Sequence, residues 1–139
     1  MITDPDRALV AAVITALRAA PALTALVGAN IVDDPSASPV APYVLVGKSE
    51  ARPWGGAMPA GSAEAVELTL TLTAVSRFDG HEEARAIAGV LRSLLHDAAL
   101  PLDGWRLANL RVVFVDVYRA ADGRTVLGIA RLRAVVEPL

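Results

Sequence analysis

The residues that could do chemistry are few and scattered. Gly47-Lys48-Ser49 follows an apolar stretch and has the ending of a phosphate-binding loop. The full pattern needs a glycine five residues before Gly47, and position 42 is a proline. A helix must also follow the loop, whereas Arg52-Pro53-Trp54 comes next. The sequence therefore favours the end of a strand at this position over a phosphate site.

The histidines and paired acids do not form a metal or catalytic pattern either. His81 stands beside Glu82 and Glu83, but the second histidine, His96, is fifteen residues further along. Asp33-Asp34 precedes a proline and two nearby serines, a composition that is typical of a turn. The chain has no cysteine, which excludes disulfides, zinc–thiolate sites and thiol nucleophiles. We predict no catalytic residues, no metal site and no cofactor, and hence a protein that is not an enzyme.

The composition bounds the class of protein. The 139 residues suit one domain over 1–139. The hydrophobic fraction is 54%, the mean hydropathy is +0.46 and only 4% of residues are aromatic, so the core must consist of Ala, Val and Leu. A net charge of −2 and a pI of about 5.6 do not fit a sequence-specific nucleic-acid-binding domain. We expect no membrane span, and the acidic start at Asp4 and Asp6 argues against a secretion signal.

The chain is organised around residues 64–76, where apolar residues alternate with Glu and Thr and so predict a half-buried strand. Helical spacing predicts a helix over 4–20, capped by Asp4, and a short helix over 21–27 that Gly28 ends. A longer helix is predicted over 79–99, with Asp79 as the cap and Glu82 completing a capping box. The remaining predicted strands cover 43–50, 107–119 and 124–137, and Ile31 and Val32 could pair briefly with an edge.

The order α-β-β-α-β-β predicts a two-layer α+β domain with a four-stranded, mainly antiparallel sheet and two main helices on one face. Strict alternation along the last two strands then leaves apolar side chains on the face without helices. These residues are Val113, Val115, Val117, Leu127 and Ile129. Such a face predicts self-association.

Two further features point to contacts with a partner. Residues 51–63 hold three glycines, two prolines and Trp54, which predicts a flexible arm. Trp54 either anchors a contact or folds back onto the sheet, and both interpretations stay open here. Arg131 and Arg133 share one face, either as a basic stripe or as ordinary surface charges. The candidate interaction residues are Arg52, Trp54, Val115, Ile129, Arg131 and Arg133.

Short motifs along nearly the whole chain resemble the tail-terminator, or tail-completion, family of long-tailed phages and gene transfer agents. The motifs lie at 21–28 leading to 31–35, at 41–47, at 68–76 with Ala84, Ile87 and Ala88 in the helix that follows, at 107–111 and at 122–125. The resemblance implies a structural virion protein that forms a ring, typically of six subunits, at the head-proximal end of the tail tube. It implies no cofactor and no catalysis.

The resemblance also implies partners: other copies of the chain, the tail tube protein and the head-side connector. DNA would pass through the ring without sequence recognition, and assembly would take place in the bacterial cytoplasm. We expect the uncovered sheet face to build the subunit contacts or the inner layer of the ring, and the arm at 51–63 to reach a neighbour or the tube. One alternative is a head–tail connector or neck protein of the same particle. Another is a small-ligand-binding or enzymatic α+β domain, which would need a polar pocket.

Overall fold

A five-stranded sheet with three helices makes up the fold in a computed structural model, which describes residues 4–34, 39–54 and 64–139. Helix α1 covers Pro5–Arg18, α2 Pro21–Val27 and α3 Glu82–Leu95. The strands are β1 Ile31–Val32, β2 Tyr43–Pro53, β3 Val66–Ser76, β4 Trp105–Arg119 and β5 Val126–Pro138. The predicted α+β class is confirmed.

The sheet has the strand order β1-β2-β3-β5-β4, with β1 parallel to β2 and every other pair antiparallel. The expected four-stranded antiparallel sheet is therefore corrected to a five-stranded mixed one. Ile31 is fully buried beside Val44, and burying this side chain holds the two-residue strand β1 against the edge of β2. The short helix α2 is a third helix in addition to the two main helices, α1 and α3.

The core lies between the helices and one face of the sheet. Leu68, Leu70 and Leu72 of β3 have no exposed surface, and they face buried residues such as Leu17 of α1 and Leu91 of α3. Full burial of one such side chain contributes roughly 1.5–3 kcal/mol before the entropic cost of folding is subtracted. The central strand thus supplies the floor on which the helices pack.

The N-terminus of α1 has the predicted cap. Asp4 Oδ2 accepts hydrogen bonds from the backbone N–H groups of Asp6, at 3.1 Å, and Arg7, at 3.2 Å. Pro5 occupies the first turn, where its missing N–H costs nothing. At the end of α2, Gly28 adopts a φ of 61°, as a helix-ending glycine does.

The predicted cap of α3 is wrong. The helix begins at Glu82 rather than Asp79, and the cap position is held by His81, whose side chain makes no capping hydrogen bond. The polar contact at this end comes from β3 instead. The buried Ser76 Oγ donates to Glu83 Oε1 at 2.7 Å and accepts from the backbone N–H of Phe78 at 3.1 Å. This bridge satisfies a buried hydroxyl and ties the first turn of α3 to the end of β3.

In the described part of the chain, no single helix is long and apolar enough to cross a membrane. Taken together, α1 and α2 meet the length and composition of a span, but they are bent by 79° relative to each other.

Gly128 of β5 sets the distance between the sheet and α3. A Cβ at this position would lie 3.1 Å from the carbonyl oxygen of Ala84, 3.4 Å from the Cβ of Ala88 and 3.5 Å from the Cβ of Ala74. We expect Gly128→Val to lower the free energy of unfolding by about 1–3 kcal/mol, because helix and sheet must move apart. Urea unfolding measures this.

The matched control is Gly89→Ala. Gly89 lies in α3 with no atom within 4 Å of a built Cβ, so alanine there should raise stability by about 0.5–1 kcal/mol. Equal stability of Gly128→Val and the wild type would contradict the close approach of α3 to β5.

The β4–β5 hairpin turn depends on Asp122. Its carboxylate accepts from the N–H of Arg124 at 2.9 Å, the hydroxyl of Thr125 at 2.7 Å and the N–H of Thr125 at 2.9 Å. These donors, the N–H of Arg124 first, lower the pKa of Asp122 from 3.8 to about 2.

Because this pKa is depressed, the stabilisation by Asp122 is present above pH 3.8 and is lost as the pH falls towards 2. A carboxyl-carbon NMR titration should therefore give a midpoint near 2. Asp122→Asn should remove this part of the acid dependence of stability, since the amide does not titrate. A midpoint near the ordinary aspartate value would refute the predicted role of the turn.

Candidate interaction surface

The sheet face opposite the helices, called here the open face, carries alternating polar and apolar side chains. On the two central strands, neighbouring pairs are Thr73 with Ile129 and Thr71 with Arg131. The open face comprises Glu67, Thr69, Thr71, Thr73 and Val75 of β3 and Leu127, Ile129, Arg131, Arg133 and Val135 of β5. The expectation of an uncovered face holds for Leu127 and Ile129, but the face is mixed rather than apolar.

Two irregularities in β4 change which of its residues reach the open face. The register shifts between Leu107 and Asn109 and again between Val112 and Phe114. Val112 pairs with Leu132 on the helix side, whereas Phe114 pairs with Arg131 on the open face. A bulge inserts one residue and so reverses the alternation beyond it.

The prediction that Val115 and Val117 share the open face with Ile129 is therefore wrong. Val115 pairs with Ala130 and Val117 with Gly128, both on the helix side. Phe114, Asp116 and Tyr118 take the open-face positions instead. Val113 itself lies in the bulge.

The second half of β4 is nevertheless exposed on both faces. Four large apolar residues there have between 42% and 53% of their surface accessible, while Val117 is half-buried. The four residues are Val113, Phe114, Val115 and Tyr118. We call residues 113–119 the outer edge of β4. It is the main exposed apolar surface among the described strands.

Arg133 is the centre of a polar and aromatic cluster on the open face. Its guanidinium lies 5.1 Å from the centre of the Trp54 ring, and its Nε donates to Glu67 Oε1 at 3.1 Å. Trp54 therefore folds back onto the sheet, and it still keeps 42% of its surface exposed. Arg131 makes a similar contact, 5.0 Å from the centre of the Phe114 ring. Each arginine thus packs against one aromatic ring and holds it in place, Arg133 against Trp54 and Arg131 against Phe114.

Arg52 belongs to a shallow groove of about 290 Å³ on the open face. Glu50 lies between two cations there, 3.1 Å from Lys48 Nζ and 3.9 Å from the Arg52 guanidinium. The hydrogen bond from Lys48 is the main cause of a lowered pKa of Glu50. Arg131 and two threonines complete the groove. Three cations surround one carboxylate, so the groove suits an additional acidic group.

The first residues of the segment 51–63, which was predicted to be a flexible arm, are strand instead. Residues 51–53 continue β2, and the N–H of Trp54 donates to the carbonyl of Ala65 at 2.9 Å. Extended pairing with β3 stabilises this part of the hairpin. Residues 55–63 lie outside the described residues, and the prediction of an arm there stays a prediction.

The exit of α3 supplies a contact that the sequence did not reveal. His96 Nδ1 accepts the backbone N–H of Val112 at 3.0 Å, and the N–H of Asp97 donates to the carbonyl of Leu110 at 2.8 Å. Asp97 has a φ of 59° and lies 3.5 Å from Arg111. These bonds cover the edge of β4 at residues 110–112 and end before residue 113.

The other candidate chemistry is not brought together. Gly47-Lys48-Ser49 lies inside β2 at a register shift, where a strand and not a helix follows. Within the ranges described, no group of three or more His, Asp or Glu residues could hold a metal ion.

A model of the family described as "Tail completion protein gp17" matches residues 11–137. The chain belongs to this family. The match extends from α1 to β5, so the open face and both sheet edges lie within the tail-completion domain.

Among solved structures, the chain is similar to one from "Virion of native gene transfer agent (GTA) particle". The TM-score is 0.85 at 26% sequence identity, and the similarity covers 97% of this chain and 99% of the other. No curated protein matches the chain. The resemblance to a tail-completion family of phages and gene transfer agents is confirmed.

The contact between Trp54 and Arg133 can be measured in this tail-completion protein. A double-mutant cycle with Trp54→Ala and Arg133→Ala should give a coupling of about 0.5–1 kcal/mol, as for partly exposed cation–π pairs. Trp54 and Arg119, at opposite ends of the sheet, form the control pair and should be additive. Unfolding free energies provide the readout, and additivity for Trp54 with Arg133 would contradict the stacking.

Proposed function

We propose that this protein is a structural component of a virion that forms a ring of six subunits. The ring ends the tail tube at its head-proximal end and joins it to the head-side connector. The similarity to the chain of the gene transfer agent particle carries the proposal, because it extends over nearly all of both chains. The family match over residues 11–137 supports the same role in a tail.

The surface of the domain suits assembly. A closed ring joins two different surfaces of the same subunit, repeated around an axis. The described residues offer candidates at opposite sides of the sheet: the outer edge of β4, and the part of the cationic groove that Lys48 and Arg52 of β2 form. A rigid sheet between them would hold the two surfaces at a fixed angle. The protein acts in this proposal by holding other proteins in place, without a catalytic step.

Five of the six candidate interaction residues share the open face. Arg52, Ile129 and Arg131 border the face directly, and Trp54 stacks on Arg133 beside them. We propose that this face contacts the neighbouring subunit or lines the ring. Exposed aromatic and arginine side chains are the residue types that dominate the binding energy of protein interfaces.

Electron microscopy of the purified protein, together with its mass in solution, tests the proposal. The same measurements are repeated after mixing with tail tube protein and with connector protein. A ring with a central hole, free or on the end of a tube, is the expected result. Binding to the connector alone would favour the neck-protein alternative. A monomer that binds neither partner would refute the proposed role.

Ile129→Asp tests the open face as a contact surface. The half-buried Ile129 lies between Thr73 and Asp116, so a carboxylate there adds charge repulsion and removes apolar area. We expect the ring to dissociate, with the mass falling towards that of one subunit. Circular dichroism checks that the fold is retained.

Ala99→Asp, at an exposed position after α3, is the control and should leave the ring intact. A folded Ile129→Asp protein that still forms the ring would show that the open face is not a subunit contact.

A further inference from the structure

The outer edge of β4 has backbone groups that point away from the sheet. At residues 110–112 the outward groups are the carbonyl of Leu110 and the N–H of Val112, which bond to the exit of α3. These two residues pair with Ala134 and Leu132 of β5. A residue of β4 that pairs with an even-numbered residue of β5 therefore has backbone groups that point outwards. By the same alternation, Val115 and Val117 point their N–H and C=O groups outwards. No other element among the described residues bonds to them.

The opposite edge of the sheet is also open over half its length. Strand β1 pairs with β2 only at Val44 and Leu45. The N–H of Val44 points outwards and donates to the carbonyl of Asn30. Beyond the register shift, the same alternation turns the backbone groups of Ser49, Ala51 and Pro53 outwards. A proline is tolerated in a strand where its missing N–H faces an open edge. Residues 46–53 are called here the outer edge of β2.

The two outer edges match each other on the helix side. A groove of about 420 Å³ lies beside the outer edge of β2, and its apolar part is formed by Val10, Ile14 and Val46. On the helix side of β4, Val115 has 42% of its surface exposed and Val117 is half-buried. Two valines on an added strand would fill an apolar groove of this kind.

The charges of the two edges also match. The groove holds two carboxylates, Asp6 and Asp33, and one guanidinium, Arg7, while Arg119 lies on the helix side at the end of β4. Asp6 Oδ1 is buried and has no hydrogen-bond partner among the described residues. On the open face, Asp116 of β4 would meet the cations that surround Glu50 of β2.

We propose that the outer edge of β4 of one subunit adds antiparallel to the outer edge of β2 of a second copy of this chain. The contact is head-to-tail, so its repetition makes one sheet that continues from subunit to subunit. This inference rests on the proposed ring and names the surface that closes it. Backbone hydrogen bonds supply the pairing, and the valines and charges select the position.

The positions of the edges fix an offset between subunits. Within one subunit, Val115 lies directly across the sheet from Val46, because Val115 pairs with Ala130, Ala130 with Leu72, and Leu72 with Val46. In the neighbouring subunit, β1 already pairs with Val44 and Leu45 of β2. Val115 must therefore pair further along that β2 strand, opposite Ser49 or Ala51. This is a shift of three to five residues along β2, which span two to four residues of the regular strand β3, or roughly 7–13 Å at the rise of a strand. A closed barrel requires such a stagger between its strands.

Cysteine cross-linking tests the proposal cleanly, since the native chain has no cysteine. The variant Val115→Cys with Ala51→Cys is treated with a short bismaleimide, as purified protein and in particles assembled with it. We expect a ladder of covalent oligomers on a denaturing gel. Val115→Cys alone should give no ladder, and Val115→Cys with Gly89→Cys, on α3, is the collision control.

The absence of a ladder above the control in assembled particles overturns the edge pairing, even where microscopy shows a ring. In that case the proposed function stands and another surface closes the ring. If the protein forms a ladder but binds neither the tail tube protein nor the connector protein, the edge pairing is supported and the proposed tail role is refuted.

Val115→Pro provides a second, independent variant. Proline removes an outward N–H without touching the β4–β5 ladder, whereas Val115→Thr keeps the N–H and the strand-forming shape. In sedimentation of the purified proteins, loss of one hydrogen bond should weaken self-association roughly 3–10-fold for the proline variant relative to threonine. Equal self-association of the two folded variants overturns the proposal; where the purified wild-type protein is monomeric, the comparison is made in assembled particles, and equal incorporation of the two variants overturns it.

Discussion

One-sided burial of β3 determines how the rest of the chain is arranged. Leu68, Leu70 and Leu72 are fully buried on the helix side, while the threonines between them stay partly exposed on the open face. A slip of one residue against β2 or β5 would turn all three leucines towards solvent, so the register of the inner strands is strongly specified. With the helices committed to one face, the open face and the two edges are the surfaces left for partners.

The periodic parts of the fold could be predicted from the sequence, because their pattern is set locally. α1, with its Asp4 cap, and the helix ending at Gly28 follow from residue type and spacing. The start of α3 could not be predicted in this way. Its first turn is tied to Ser76, a residue of another element that only the tertiary structure brings close to Glu83. A local capping pattern carries no information about such a contact.

The surface shows the same limit at the bulges of β4. Arg131, Arg133 and Ile129 lie on the face that alternation predicts, because β5 has no inserted residue and pairs with β3 without interruption. Val115 does not, since one inserted residue near Val113 reverses every later side chain. Nothing in the run of valines marks the inserted residue. Membership of the tail-completion family follows from short motifs spread along the chain, and no single side-chain constellation indicates it.

The close approach at Gly128 has a consequence for how this domain can change over time. The Cβ atoms of Ala74 and Ala88 and the backbone carbonyl of Ala84 surround the space where a side chain would be. A larger residue at position 74, 88 or 128 would need a smaller one at another of these positions, but glycine and alanine leave almost nothing to remove. These three positions should therefore vary together or hardly at all among related chains, while the exposed sheet edges are free of this constraint.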